Sequence, residues 1–144
     1  MDEVKLMKRV DTKFMVHVVE LREISNQLTN DYRVLEIDNI RLMTYDSLYY
    51  DTENLDFYFD HHNKIAHRIK IRKRNYVESA LTFLEIKQKD NKGVTRKTRQ
   101  IIPTHDVGLT KHNKNFIEQT TDINLPIHNT IPNTSNRYTF VEKQ

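Results

Sequence analysis

The residues best suited by type and spacing to do chemistry lie in Ile65–Tyr76, IAHRIKIRKRNY. In a strand, successive side chains point to opposite faces. That puts Arg68, Lys70, Arg72, Arg74 and Tyr76 on one face and Ile65, Ile69 and Ile71 mostly on the other. Leu81–Lys89, LTFLEIKQK, alternates in the same way, with Leu84 and Ile86 set against Glu85, Lys87 and Lys89. As hairpin partners the two strands pool their cations into one wall. Like charges facing each other across strands repel, and no carboxylate occurs from His61 to Val77 to offset them locally. Such a wall calls for an anion.

Three readings of the wall are open. It is a solvated sheet face, as charge runs commonly are. It is a nucleic-acid surface, with Tyr49, Tyr50 and Tyr76 stacking bases while the cations meet phosphates. Or it lines a channel for a condensed phosphate chain. Side chains two apart on a strand repeat every ~7 Å on one face, a spacing that suits an extended polyanion, and arginine adds a planar fork of donors. The net charge is only +3, so the basic character is local, which favours a focused binding site over a broad basic surface.

Other chemistries are excluded by composition. There is no cysteine, hence no disulfide, thiolate metal site or thiol nucleophile. Only Gly93 and Gly108 occur, too few for a glycine-rich phosphate loop. Adjacent His61 and His62 do not face one site from a helix or turn, no third ligand stands at zinc spacing and His67 stands in another segment, which leaves a metal site there as the minor reading. No Ser/His/Asp constellation is present.

The elements that must position the wall follow from the chain order. Asp11–His17 alternates as a strand. Val18–Asn30 has helical spacing, with Val18, Leu21, Ile24 and Leu28 on one stripe. Tyr32–Ile37 and Leu42–Asp51 read as strands around an Asp38-Asn39 reversal. Asp51 and Thr52 are expected to cap a helix over Glu53–Asp60. Asp90-Asn91-Lys92-Gly93 signals a hairpin leading into a strand over Val94–Ile102, with Thr95, Lys97, Arg99 and Ile101 on one face. From Pro103 to Thr134 the chain is polar and holds all its prolines, with a short helix at Lys111–Gln119. Asn136–Val141 reads as a further strand.

The 144 residues suffice for one domain. Mean hydropathy is low, −0.75, but seven Tyr and six Phe argue against disorder. No apolar run approaches the ~18 residues of a membrane span. MDEVKLMKRV lacks a signal-peptide core, and a cytoplasmic location is expected.

Taken together, Arg72-Lys-Arg74-Asn-Tyr76, Leu81-Thr-Phe-Leu-Glu85-Ile-Lys87 and Asn91-Lys-Gly93-Val-Thr-Arg-Lys97-Thr-Arg99 resemble the vacuolar transporter chaperone (VTC) domain. That domain is the polyphosphate polymerase branch of the triphosphate tunnel metalloenzymes, the CYTH-like superfamily. Ser47-Leu-Tyr-Tyr50-Asp51-Thr52 is close to the same family's pattern, and Arg9-Val-Asp11-Thr-Lys13-Phe14 is similar to its opening strand. The first Glu of the superfamily's Glu-x-Glu-x-Lys opening is replaced here by Arg9. The resemblance implies an α+β fold: an antiparallel sheet forming part of a β-barrel tunnel, with helices packed outside. It implies phosphate contacts from Lys13, Arg72, Arg74, Lys87, Lys97 and Arg137. Among these, Arg72, Arg74 and Lys87 would hold the nucleotide. It also implies Mn²⁺ or Mg²⁺ as cofactor, ATP and polyphosphate as ligands, and no nucleic acid. Transfer of the terminal phosphoryl group of ATP to polyphosphate is the implied reaction. A tripolyphosphate hydrolase and a non-catalytic polyphosphate-binding module are the alternatives. Glu85 is the one carboxylate in the wall, expected first to balance charge through Lys87 or a neighbouring arginine. The family's metal-binding glutamate, a further arginine and a final lysine have no counterpart in these residues. The chain is therefore expected to represent the N-terminal two thirds of the domain, with binding outlasting catalysis.

Overall fold

Alternation of isoleucine with arginine and lysine gives the central sheet its two unlike faces. The computed structural model describes residues 12–106, 108–121, 123 and 126–142. These fall into two units, one drawn from residues up to Val34 and from Phe140 onward, the other from Leu35 to Thr139.

The larger unit holds a five-stranded antiparallel sheet. Its strands are β2 (Leu42–Asp51), β3 (Arg68–Tyr76), β4 (Leu81–Lys89), β5 (Thr95–Ile101) and β6 (His128–Tyr138), in the order β5-β4-β3-β2-β6. The order is linear: β5 and β6 are its edges, and no closed barrel forms among the described residues. The expected sheet with helices against it is therefore present, and the fold is α+β. β4 has the expected bounds, and β3 begins at Arg68 rather than Ile65. The turn after β4 is built by Asp90, whose Oδ1 accepts from the backbone N–H groups of Lys92 (2.9 Å) and Val94 (2.8 Å). Gly93 supplies the left-handed residue there at φ 81°.

The core lies on the isoleucine face. Ile69, Ile71, Leu84 and Ile86 are buried there with Tyr50 and Ile102, under Phe57 of α2 (Asp56–His62) and Ile117 of α3 (Lys111–Thr121). Each such side chain contributes about 1.5–3 kcal/mol by leaving water. Lys73, the middle residue of Arg72-Lys73-Arg74, points to this side. Its Nζ donates to the carbonyls of Thr104 (2.8 Å) and Asp106, fastening the segment after β5.

Asp51 caps α2 as expected, but the helix starts at Asp56, not Glu53. The buried Asp51 carboxylate accepts from the backbone N–H groups of Phe57 and Tyr58, both at 2.9 Å, and Thr52 Oγ1 accepts from that of Asp56 (3.1 Å). These acceptors decide where the first turn forms.

In the smaller unit, α1 (Leu21–Leu28) follows a single turn of 3-10 helix at Val18–Glu20. Leu21, Ile24 and Leu28 lie on its half-buried stripe as expected, whereas Val18 is exposed. β1 (Tyr32–Val34) pairs with β7 (Phe140–Glu142). Two expectations are corrected here. Residues 12–17 form no strand, and Phe14 and Met15 are exposed: the alternation there meets no neighbour to complete a ladder, and backbone groups need partners to hold an extended pairing. The strand at Tyr32 also does not form a hairpin with β2. Asp38 and Asn39 do make a tight turn with positive φ, closed by the Ile37–Ile40 bridge, but it ends there.

Finally, the strand expected over Asn136–Val141 is two strands, and the first starts at His128. Pro132 lies within it, tolerated because β6 is an edge.

Candidate basic phosphate-binding face

The register places the cations of three strands side by side. Lys70 pairs with Lys87, and Lys87 with Lys97, so three lysines form one row across β3, β4 and β5. In the next row Tyr49, Arg72, Glu85 and Arg99 stand opposite one another; in the one after, Ser47, Arg74, Phe83 and Ile101. Residues directly opposite share a face, so all these side chains rise from the side remote from the isoleucines. Arg137 of β6 pairs with Met43 on this same side. Lys13 lies in the other unit, exposed, on a segment without regular structure.

Glu85 is the centre of the face. It is 2% exposed. Its Oε2 accepts from Arg72 Nε (2.8 Å) and pairs with Nη2 at 2.6 Å. Its Oε1 pairs with Lys97 Nζ at 2.7 Å and accepts from the Tyr76 hydroxyl at 3.1 Å. Burial pushes the carboxyl up, but hydrogen bonds from Lys97 and Arg72, and their charges, outweigh it and hold the pKa down at about 2. Burial likewise opposes the charged Arg72, yet hydrogen bonds to Tyr49 and Glu85 and the Glu85 charge raise its pKa above the ordinary arginine value. Charge balance by Glu85 therefore runs through Arg72 and Lys97 rather than Lys87.

Aromatic rings lie against Lys70, Arg72, Arg74, Arg99 and Arg137. Lys70 Nζ lies 5.5 Å and the Arg72 guanidinium 6.0 Å from the centre of the Tyr49 ring. Burial pushes the Tyr49 phenol up, but the Arg72 hydrogen bond and the charges of Arg72, Lys70 and Arg74 bring it below its usual value. Arg74 donates from Nε to Ser47 Oγ (3.0 Å) and sits 5.0 Å over Tyr45, with Arg137 5.8 Å from the same ring. Arg99 lies 4.7 Å over Phe83. Tyr76 meets Tyr45 and Phe83 edge to face.

This arrangement bears on the nucleic-acid reading. Tyr50 is buried on the opposite face, its hydroxyl 3.4 Å from the Gly108 carbonyl, and cannot stack a base. Tyr45 and Tyr49 present their rings to arginine and lysine.

A divalent metal does not fit these residues. No group of three or more His, Cys, Asp or Glu stands close enough to hold one among the described residues. Glu85, the only acidic candidate on the face among the described residues, has both oxygens engaged by cations and a phenol.

The face thus unites Arg72, Arg74, Lys87, Lys97 and Arg137 in one unit. Lys70 and Arg99 stand on the same face, and Tyr45 joins them from the side of β2 that also carries Tyr49. The Lys70 charge pushes the His61 imidazole, at the end of α2, below the usual value, with burial and the charges of Arg68 and Lys87 adding to the effect.

Two comparisons bear on this geometry. The family model described as the VTC domain matches residues 8–143. No curated protein matches the sequence.

Proposed function

We infer, from the premise that this chain belongs to the VTC domain family, a polyphosphate polymerase-related family, that its basic face binds the phosphates of ATP and of a polyphosphate chain. Transfer of the terminal phosphoryl group from one to the other is the reaction this reading assigns. The observation that carries it is the Lys70–Lys87–Lys97 row beside Arg72 and Arg74. Opposed like charges destabilise a sheet, and a bound polyanion turns that repulsion into attraction.

In this reaction a terminal oxygen of polyphosphate attacks the γ-phosphorus of ATP. The new P–O bond forms as the bond to the β-bridging oxygen breaks, giving ADP and a chain one phosphate longer. When both chain ends are ionised no proton has to move, in keeping with the lack of a general-base constellation. The role of the protein is then positioning and electrostatic stabilisation of the equatorial oxygens. Lys70, Lys87 and Lys97 act as point charges along the chain, while Arg72 and Arg74 supply planar donors. Arg137 extends the face beside Tyr45. A cytoplasmic location, where ATP is abundant, is part of the proposal.

The test is a binding and turnover assay with ATP, tripolyphosphate and long-chain polyphosphate, each with and without manganese or magnesium. ADP release with chain lengthening supports the polymerase reading. Orthophosphate release from tripolyphosphate points to hydrolysis, and binding without turnover to a carrier role. No binding of any phosphate chain rejects the reading.

A further inference from the structure

Among the cations of the face, Arg72 and Lys97 stand on strands separated by β4, and one carboxylate between them holds both. We propose that Glu85 is a positioning residue: it presents the left-over N–H donors of Arg72, together with Lys97, to the bound phosphate chain. This rests on the phosphate-binding reading above and gives the acidic residue in the middle of the face a role that is neither metal ligation nor passive charge balance.

The donor inventory of Arg72 carries the argument. A guanidinium is planar, with its N–H groups in fixed directions. The Nε–H and the adjoining Nη2–H point at Glu85 Oε2, at 2.8 and 2.6 Å. On the opposite flank Nη1 donates to the Tyr49 hydroxyl at 3.4 Å. One N–H on each Nη nitrogen is left over, two donors for the oxygens of one phosphate.

Lys97 spends one donor on Oε1 at 2.7 Å and keeps the others. The Tyr76 hydroxyl, 3.1 Å from Oε1, fixes the carboxylate from the aromatic side. Because Glu85 itself is 2% exposed, it does not compete for the ligand at the surface; it acts from beneath. Fixing the two heads before binding removes an ordering cost that long side chains otherwise meet when they grip a ligand.

A charge-balancing role and a positioning role predict opposite signs on removing the charge. Glu85→Gln keeps the shape but takes away the negative charge. If Glu85 only balances charge, the variant has a more positive face, so it binds a polyanion more tightly, with a steeper dependence on salt. If Glu85 positions, Arg72 and Lys97 lose their orientation and binding weakens in spite of the added positive charge.

The experiment is calorimetric titration of the full chain with tripolyphosphate over a series of salt concentrations. Wild type, Glu85→Gln and Glu85→Asp are compared, together with the Arg72 Nε–H signal in ¹H–¹⁵N spectra. The expected result is affinity about tenfold lower in Glu85→Gln, a difference of about 1.4 kcal/mol, with a shallower salt slope. Glu85→Asp should restore part of it. The Arg72 Nε–H should be protected from exchange in the wild type and lose that protection in Glu85→Gln, an observation that needs no ligand, while dispersed backbone amide signals in the same spectra should show both proteins folded. Equal or tighter binding by Glu85→Gln, beside a wild type that binds, overturns this role alone, as does an unprotected Arg72 Nε–H in the wild type. A wild type that does not bind tripolyphosphate overturns the phosphate reading itself, and this role with it.

Discussion

Replacing Lys87 with methionine should make the free protein more stable and weaken the proposed binding of phosphate. Lys87 is the middle of the lysine row, exposed, with Lys70 opposite on one side and Lys97 on the other. Directly opposed residues have Cβ atoms roughly 5 Å apart, and long side chains can splay until their ammonium groups are ~7 Å apart. At that distance two unit charges repel by about 0.6 kcal/mol in bulk water and about 1.2 kcal/mol at half its dielectric constant. The Lys97 charge is partly offset by Glu85, so the Lys70 pair dominates. Methionine keeps most of the apolar stem, and the net gain in stability should be about 0.5–1 kcal/mol. For a chain of this size that raises Tm by about 2–4 °C. The gain should shrink in 1 M salt, where the screening length falls to about 3 Å. Tripolyphosphate affinity should fall by roughly tenfold or more, since a charge-assisted hydrogen bond contributes about 1.5–3 kcal/mol. Thermal melts at low and high salt, paired with calorimetric titration, read both effects. A lower Tm at low salt, a gain that survives 1 M salt, or unchanged affinity would refute the reasoning.

Asp51→Ala removes the buried acceptor of three backbone N–H groups, those of Thr52, Phe57 and Tyr58; urea unfolding should show a loss of about 2–4 kcal/mol. Ile71→Ala opens a cavity at a fully buried position and should cost about 2–5 kcal/mol in the same assay. The acid limb of stability should carry the signature of Glu85. Its pKa is held down at about 2 in the folded chain against an ordinary 4.5, so its contribution is complete above pH 4.5 and drains away as the pH falls towards 2. The difference in unfolding free energy between wild type and Glu85→Gln should therefore be constant at neutral pH and narrow across that window.

The two faces of the central sheet were legible because Ile69, Ile71, Leu84 and Ile86 alternate with Arg72, Glu85 and Lys87, and a period of two leaves no other assignment once one face is buried. The turn at Asp90–Gly93 was legible from local chemistry. Pairing at long range was not. Tyr32 finds Glu142 across nearly the whole chain, and alternation tells a strand which way to face, not which neighbour to take. Asp11–His17 has the alternation of a strand, yet residues 12–17 find no strand partner among the described residues. Within the site, the sequence put Glu85 and the cations on one wall, but the choice of Arg72 and Lys97 over Lys87 depends on the register of three strands at once. Tyr49 and Tyr50 looked alike as residues that could stack; a single step along β2 sends one to the cations and the other into the core.

The central claim is that this face grips condensed phosphate through Arg72 and Arg74. The most direct measurement is the affinity for tripolyphosphate of the wild type and of the Arg72→Ala/Arg74→Ala double variant, across a salt series. The account predicts salt-sensitive binding by the wild type and a loss of about a hundredfold or more in the double variant, from two charge-assisted contacts of about 1.5–3 kcal/mol each. Unchanged affinity in a folded double variant would contradict it.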